Sequence, residues 1–345
     1  MHERALIRPP RLRRGDTIAI ASPSWGGPGA LPERHDAGLR QLREHWGLEV
    51  VELEHARADP AWIAANPAAR ADDLHAALRD DAVAAIFTSI GGDDSIRVLP
   101  HLDLELIRAR PKTLLGFSDT TCIHMAWHGA GVVSCYGGAT MCGFAENAGM
   151  LEYFVDGIDA ALFGEAREHE WPELRSGWTV ERLEWSDPAN QSIARTLQPS
   201  TGRRWLQGAG VVRGMLVPAC LEVLDWLRGS PWMPDLEGAV LALETSEEAP
   251  TPEAVVRMLR ALGATGALGQ VAAVLLGRPG GDQLTVDERL AYDGALVQVV
   301  RDELGRADVP LVANLDFGHT DPSWTLPVGV PCTVDCDARR IHIGA

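Results

Sequence analysis

The feature that most constrains this chain is the alternation, through its first half, of short apolar runs with longer amphipathic ones. "DTIAIASPS" reads as a strand, "ERHDAGLRQLREHWG" as an amphipathic helix closed by Gly47, "LEVVELE" as a strand, "ARADDLHAALRD" as a helix and "VAAIFTSIGG" as a buried strand. The helix-like "DDSIRVLPHLDLELIRAR" and the strand "KTLLGF" follow, and a further helix opens almost at once at Ser118. Strands alternating with helices predict an α/β fold: a parallel sheet covered on both faces, with its functional residues at the carboxyl ends of the strands.

The texture changes near Leu151. From Glu165 to Gly214 the chain is rich in Glu, Arg, Trp, Ser and Pro without a long apolar period, which predicts a connection and an irregular, ordered loop. Strand and helix signals then return in "GAVLALE", "TPEAVVRMLRALGATG", "VAAVLLGR", "TVDERLAYDGALVQVVRDELG", "VPLVANLD" and "CTVDCDARRIHIG". With 345 residues exceeding the usual single-domain size, the expected division is an N-terminal domain over 1–150, a connection over 151–207 and a second α/β domain with mixed sheet over 208–345.

Charge narrows the partners. A formal net charge of -17 disfavours nucleic acid or an anionic membrane surface as the main partner, because both would be repelled. The apolar segment near the N-terminus, Thr17 to Ala21, is a first strand and too short for a signal peptide. The six cysteines include no C-x-x-C pair, so buried free thiols in a reducing cytoplasm are expected. No G-x-G-x-x-G opening a helix, G-x-x-x-x-G-K-[ST] or H-E-x-x-H is present, and no metal or cofactor is expected. His124 and His128, four apart on one helix face, have no third ligand in view, so helix packing outweighs metal binding.

Four apolar runs end abruptly in polar or glycine residues: "AAIFTSIGGDDS", "TLLGFSDTT", "AVLALETSEEAP" and "PLVANLDFGHTDP". The pair Gly91-Gly92 leaves backbone N–H groups free to approach a ligand. The other three present Ser118, Glu244 and His319, the residue types that nucleophilic catalysis combines. A hydroxyl is a weak nucleophile until an imidazole takes its proton, and a carboxylate holds the imidazole in the right tautomer. Taken alone, Ser118 reads first as a helix cap, and spacing alone leaves the nucleophile reading open beside it.

The segments "SIGGDDSIRVLPHLD", "LLGFSDTT", "LALETSEE", "LLGR" and "NLDFGHTDPSWTLPVG" together resemble the serine LD-carboxypeptidases, and within them the microcin C self-immunity subgroup of MccF type. The resemblance runs from about Gly15 to about Cys336. It implies Ser118 as nucleophile, His319 as general base and Glu244 as the carboxylate, with the N–H groups of Gly92 and Asp119 as oxyanion hole. It also implies a Rossmann-like N-terminal domain, a C-terminal domain around a small β-barrel-like mixed sheet, and a homodimer. Trp178 and Trp185 in "SGWTVERLEWSDPANQ", with Trp205 beyond, fall where the subgroup carries a base-stacking loop, so Trp178, Trp185 and Gly91 are the candidate substrate contacts. The expected activity is metal-independent cleavage of an amide bond in an aminoacyl or peptidyl nucleotide of the microcin C kind. One alternative is release of the terminal D-alanine from murein tetrapeptide; another, from a different class, is a non-catalytic nucleotide-binding protein.

Overall fold

The computed structural model describes residues 6–344. Its first sheet comprises β1 (Thr17–Ala21), β2 (Glu49–Glu52), β3 (Val83–Thr88), β4 (Thr113–Gly116) and β5 (Ser134–Tyr136), paired in parallel in the order β5-β4-β3-β1-β2. Helices cover both faces, so alternate residues of one strand enter different cores. Ile18 and Ile20 pack with Leu39 and Leu42, whereas Ala19 and Ala21 pack with Leu74 and Leu78. The helix Pro32–Trp46 stops where expected, at Gly47 in the left-handed conformation.

The second sheet is mixed and curls into a half-barrel. It contains β6 (His169–Glu170), β7 (Arg204–Gln207), β8 (Val211–Cys220), β9 (Val240–Glu244), β10 (Ala273–Gly277) and β11 (Leu311–Leu315). The run β8-β9-β10-β11 is parallel and β7 closes one edge antiparallel. The chain then crosses back: β12 (Leu326–Val328) pairs antiparallel with β5 and becomes the edge of the first sheet. Two last strands, β13 (Pro331–Asp335) and β14 (Arg340–Ile343), return to the second sheet beside β8, with β6 outside them. A three-residue strand containing Pro327 carries little sequence signature, and proline is tolerated there because the strand lies at an edge.

One expected helix is broken. The segment after Gly92 forms two 3₁₀ turns, Ser95–Arg97 and Leu99–His101, and a short helix Leu104–Ala109 capped by the Asp103 carboxylate on the Leu106 N–H at 2.9 Å. Pro100 explains the break, since it lacks an N–H and disfavours helical backbone in the residue before it. Among the described residues no helix is long and apolar enough to cross a membrane.

One core cluster runs continuously from the first sheet into the second, and β12 is part of it through the fully buried Leu326 and Val328. Leu326→Ala should therefore lower the unfolding free energy by about 2–5 kcal/mol, the range for a buried leucine truncated to alanine. Urea denaturation followed by circular dichroism measures it; a loss under about 1 kcal/mol would mean that β12 adds little to the joining of the sheets.

Candidate active site

The carboxyl ends of β3, β4, β9 and β11 converge between the two sheets. After β4 the backbone is extended at Phe117 and then turns sharply, with Ser118 at φ +61°, a left-handed conformation uncommon outside glycine. A 3₁₀ turn over Ser118–Thr120 leads into the helix Thr121–Gly129. The Ser118 side chain makes no capping hydrogen bond to that helix. Its Oγ instead lies 3.0 Å from His319 Nε2, and His319 Nδ1 lies 2.6 Å from Glu244 Oε2.

Glu244, the last residue of β9, is fully buried. Its second oxygen, Oε1, accepts a hydrogen bond from Tyr136 Oη at 2.5 Å, and Tyr136 Oη accepts from the Ser118 N–H at 3.0 Å. Ser118, His319, Glu244 and Tyr136 thus form a ring of hydrogen bonds that closes through the Ser118 backbone N–H. Burial opposes charge on the His319 imidazole, but the carboxylates of Glu244 and Glu247 outweigh it and hold its pKa well above the ordinary histidine value. Burial, with the Glu244 charge beside it, pushes the Tyr136 phenol far up, so it stays a neutral donor.

Glycines make this approach possible. A Cβ on Gly277, the last residue of β10, would sit 2.9 Å from Glu244 Cβ, and one on Gly318, at φ +89°, would sit 2.5 Å from the Glu244 carboxyl. A Cβ on Gly91 would lie 2.9 Å from Ser118 Cβ and 3.0 Å from its Oγ. The N–H groups of Gly92 and Asp119 donate to no acceptor among the described residues, and the loops that carry them are tied together. The Asp119 carboxylate accepts from the backbone N–H of Ser95 at 2.8 Å and of Asp94 at 3.1 Å, and from Ser24 Oγ; Ser95 Oγ in turn bonds the Asp119 carbonyl at 2.6 Å. Burial raises the Asp119 pKa, and those donors oppose the rise.

The three tryptophans have separate environments. Trp178 is buried, with Nε1 on the Pro199 carbonyl at 3.2 Å and the guanidinium groups of Arg278 and Arg289 over its ring at 4.5 and 5.1 Å. Trp205 lies in β7, packed against the main core at the far edge of the second sheet. Trp185 is half-exposed, as Trp205 is, but lies on the loop, with Arg34 4.5 Å from its ring centre. Arg34 is itself fixed by the Met141 carbonyl at 3.1 Å and Asn147 at 2.7 Å. That loop is anchored to the His319 segment by backbone bonds between Thr179 and Asp321 and by Arg195, which bonds Glu146 and Asp321. His124 serves packing, its two ring nitrogens lying 2.8 Å from Ser134 Oγ and 2.8 Å from the Gly116 carbonyl.

Tyr136 and Glu247 are absent from the sequence-based list of candidates. Tyr136 sits in a three-residue strand with nothing to separate it from an ordinary core aromatic. Glu247 is one of two adjacent glutamates in "ETSEEAP". The glycines did leave a trace, since Gly277 and Gly318 are the glycines of "LLGR" and "DFGHTDP".

Residues 18–137 match the LD-carboxypeptidase N-terminal domain and residues 213–334 the LD-carboxypeptidase C-terminal domain. A Streptomyces coelicolor protein named as a carboxypeptidase is 34% identical over 99% of this chain and 97% of its own. The microcin C7 self-immunity protein MccF of Escherichia coli is 26% identical over 96% of this chain and 94% of its own. Among solved structures, an MccF-like protein from Streptococcus pneumoniae in complex with AMP superposes with a TM-score of 0.83 at 31% identity, covering 96% of this chain and 99% of that one.

Replacing Tyr136 by Phe removes the one hydroxyl that satisfies both Glu244 Oε1 and the Ser118 N–H, leaving a buried carboxylate oxygen without its donor. The expected cost is about 1–3 kcal/mol of stability, read by chemical denaturation. An unchanged midpoint would show that the ring of contacts does not depend on this phenol.

Proposed function

Because this chain belongs to the LD-carboxypeptidase family of serine peptidases, we propose that it cleaves an amide bond through an acyl-enzyme on Ser118. The observation that carries this reading is the unbroken path from Ser118 Oγ through His319 to Glu244. In the proposed first step Ser118 Oγ attacks the scissile carbonyl while its proton moves to Nε2 of His319. Glu244 holds the ring with Nδ1–H toward it and stabilises the imidazolium that forms. The negative charge developing on the carbonyl oxygen is met by the N–H groups of Gly92 and Asp119. His319 then returns the proton to the leaving nitrogen, and a water, deprotonated by the same imidazole, hydrolyses the acyl-serine.

The favoured substrate is an aminoacyl or peptidyl nucleotide of the microcin C kind, its cleavage giving self-immunity or detoxification. Similarity to MccF over nearly the whole chain and to an MccF-like protein solved with AMP supports this choice. Trp185, half-exposed on a loop tied to the His319 segment, is the residue proposed to stack on the base; Trp178, with its ring already under two guanidinium groups, is proposed to stiffen that loop instead. The second reading, removal of D-alanine from murein tetrapeptide, is favoured by the carboxypeptidase naming of the family's two domains.

Ser118→Ala should lower turnover by roughly 10⁴- to 10⁶-fold while leaving the unfolding midpoint nearly unchanged. Steady-state kinetics on an aminoacyl-sulfamoyl adenosine and on an L,D-tetrapeptide identify the substrate class, and a variant retaining a tenth of the activity refutes the nucleophile.

In the Ser118→Ala background, Trp185→Ala should weaken binding of the adenosine compound by about 1–3 kcal/mol, the range for base–aromatic stacking, and leave the tetrapeptide unaffected. Trp178→Ala should act mainly on stability. Calorimetric titration of the three proteins separates these effects; equal losses for both ligands would assign Trp185 to packing.

A further inference from the structure

His319 has three polar neighbours within hydrogen-bond reach, one more than a base paired with a nucleophile and a carboxylate requires. Nδ1 faces Glu244, and Nε2 faces both Ser118 Oγ at 3.0 Å and Glu247 Oε2 at 3.1 Å. We infer that Glu247 is a positioning residue that competes with Ser118 for Nε2 of His319 and holds the imidazole out of use until its carboxylate moves away. The inference rests on the proposed role of His319 as the base.

A carboxylate only accepts hydrogen bonds. Nε2 must therefore carry a proton to bond Glu247, and with Nδ1–H already directed at Glu244 the ring is then an imidazolium. In that state it has no lone pair for the Ser118 proton. The hydrogen bond from His319 accordingly draws the Glu247 carboxyl down to about 2, and the two carboxylates raise the imidazole against the effect of burial.

The two carboxylates differ in freedom. Glu244 is fully buried and held on its other oxygen by Tyr136, whereas the Glu247 side chain is 47% exposed. Its Oε1 lies 3.8 Å from Arg182 Nη2, on the loop that carries Trp185. Of the other charges nearby, Glu222 is raised by burial and by the Glu244 charge and accepts from the Ser246 N–H at 2.9 Å, and Asp321 bonds Arg195 at 2.7 Å. When Glu247 swings to Arg182, the Nε2 proton passes to solvent water, Glu247 remains a carboxylate, and the vacated lone pair accepts the Ser118 Oγ–H. The position of the loop is thereby coupled to the protonation of the base.

The test is the NMR titration of the His319 imidazole in the free enzyme, its resonance assigned by its loss in His319→Gln. Glu247→Gln removes one facing charge, so the midpoint should fall by roughly one pH unit or more, and the acidic limb of kcat/KM should move down with it. Arg182→Ala should move both upward. An unmoved midpoint in Glu247→Gln overturns the inference. Ser118→Ala assayed in parallel keeps the two claims apart: if it is inactive while the Glu247→Gln midpoint is unmoved, only the role of Glu247 falls, whereas retained turnover in Ser118→Ala overturns the proposed reaction itself.

Discussion

A fully buried carboxylate must have its charge compensated on both oxygens, and in this molecule that requirement falls on Glu244. One oxygen takes the His319 imidazole and the other the Tyr136 phenol, which are short, charge-assisted bonds of the stronger kind. Meeting the requirement dictates much of the surroundings. Gly277 and Gly318 lack side chains because the carboxyl and its stem fill the space a Cβ would need. Tyr136 must come from the first sheet, Glu244 and His319 from the second. A single buried charge therefore ties the ends of strands from both sheets to one point.

The topology supports this with more than contact between faces. β12 leaves the second half of the chain seven residues after His319 and pairs with β5, the strand that ends in Tyr136. Its register sets Leu326 opposite Tyr136, so the pairing that joins the halves is also the pairing that places the phenol. Beneath it one continuous apolar cluster spans both sheets. Relative movement of the sheets would disturb the core and the ring of hydrogen bonds together, which makes the separation between Ser118 and His319 a property of the whole fold.

The periphery is built differently. The loop around Trp185 is held by ion pairs and backbone bridges to the His319 segment, through Arg195, Asp321 and Thr179, and little of it is apolar core. Attachments of this kind order a segment while leaving it cheaper to move than a buried strand. Specificity in the proposed reaction is assigned to that layer and the chemistry to the rigid one beneath.

The local period of the sequence determined the strands that end at the site, because a buried parallel strand reads as an unbroken apolar run and its end as a sudden change to polar residues. Ser118, Glu244 and His319 were legible for that reason, each standing just at or beyond such an end, and Gly91 and Gly92 likewise. Only the tertiary structure decided what pairs of distant residues do. The 3.0 Å contact between Ser118 and His319, 201 positions apart, has no counterpart in any local pattern. Nor does the phenol of Tyr136, whose neighbours in sequence are ordinary core, or the placing of Glu247 against the base while Glu248 beside it has no such contact. The tryptophans show the same limit: Trp178 and Trp185 share one loop and one residue type, yet one is enclosed by Arg278 and Arg289 and the other stays half-exposed, because burial is set by what the rest of the chain brings to each ring.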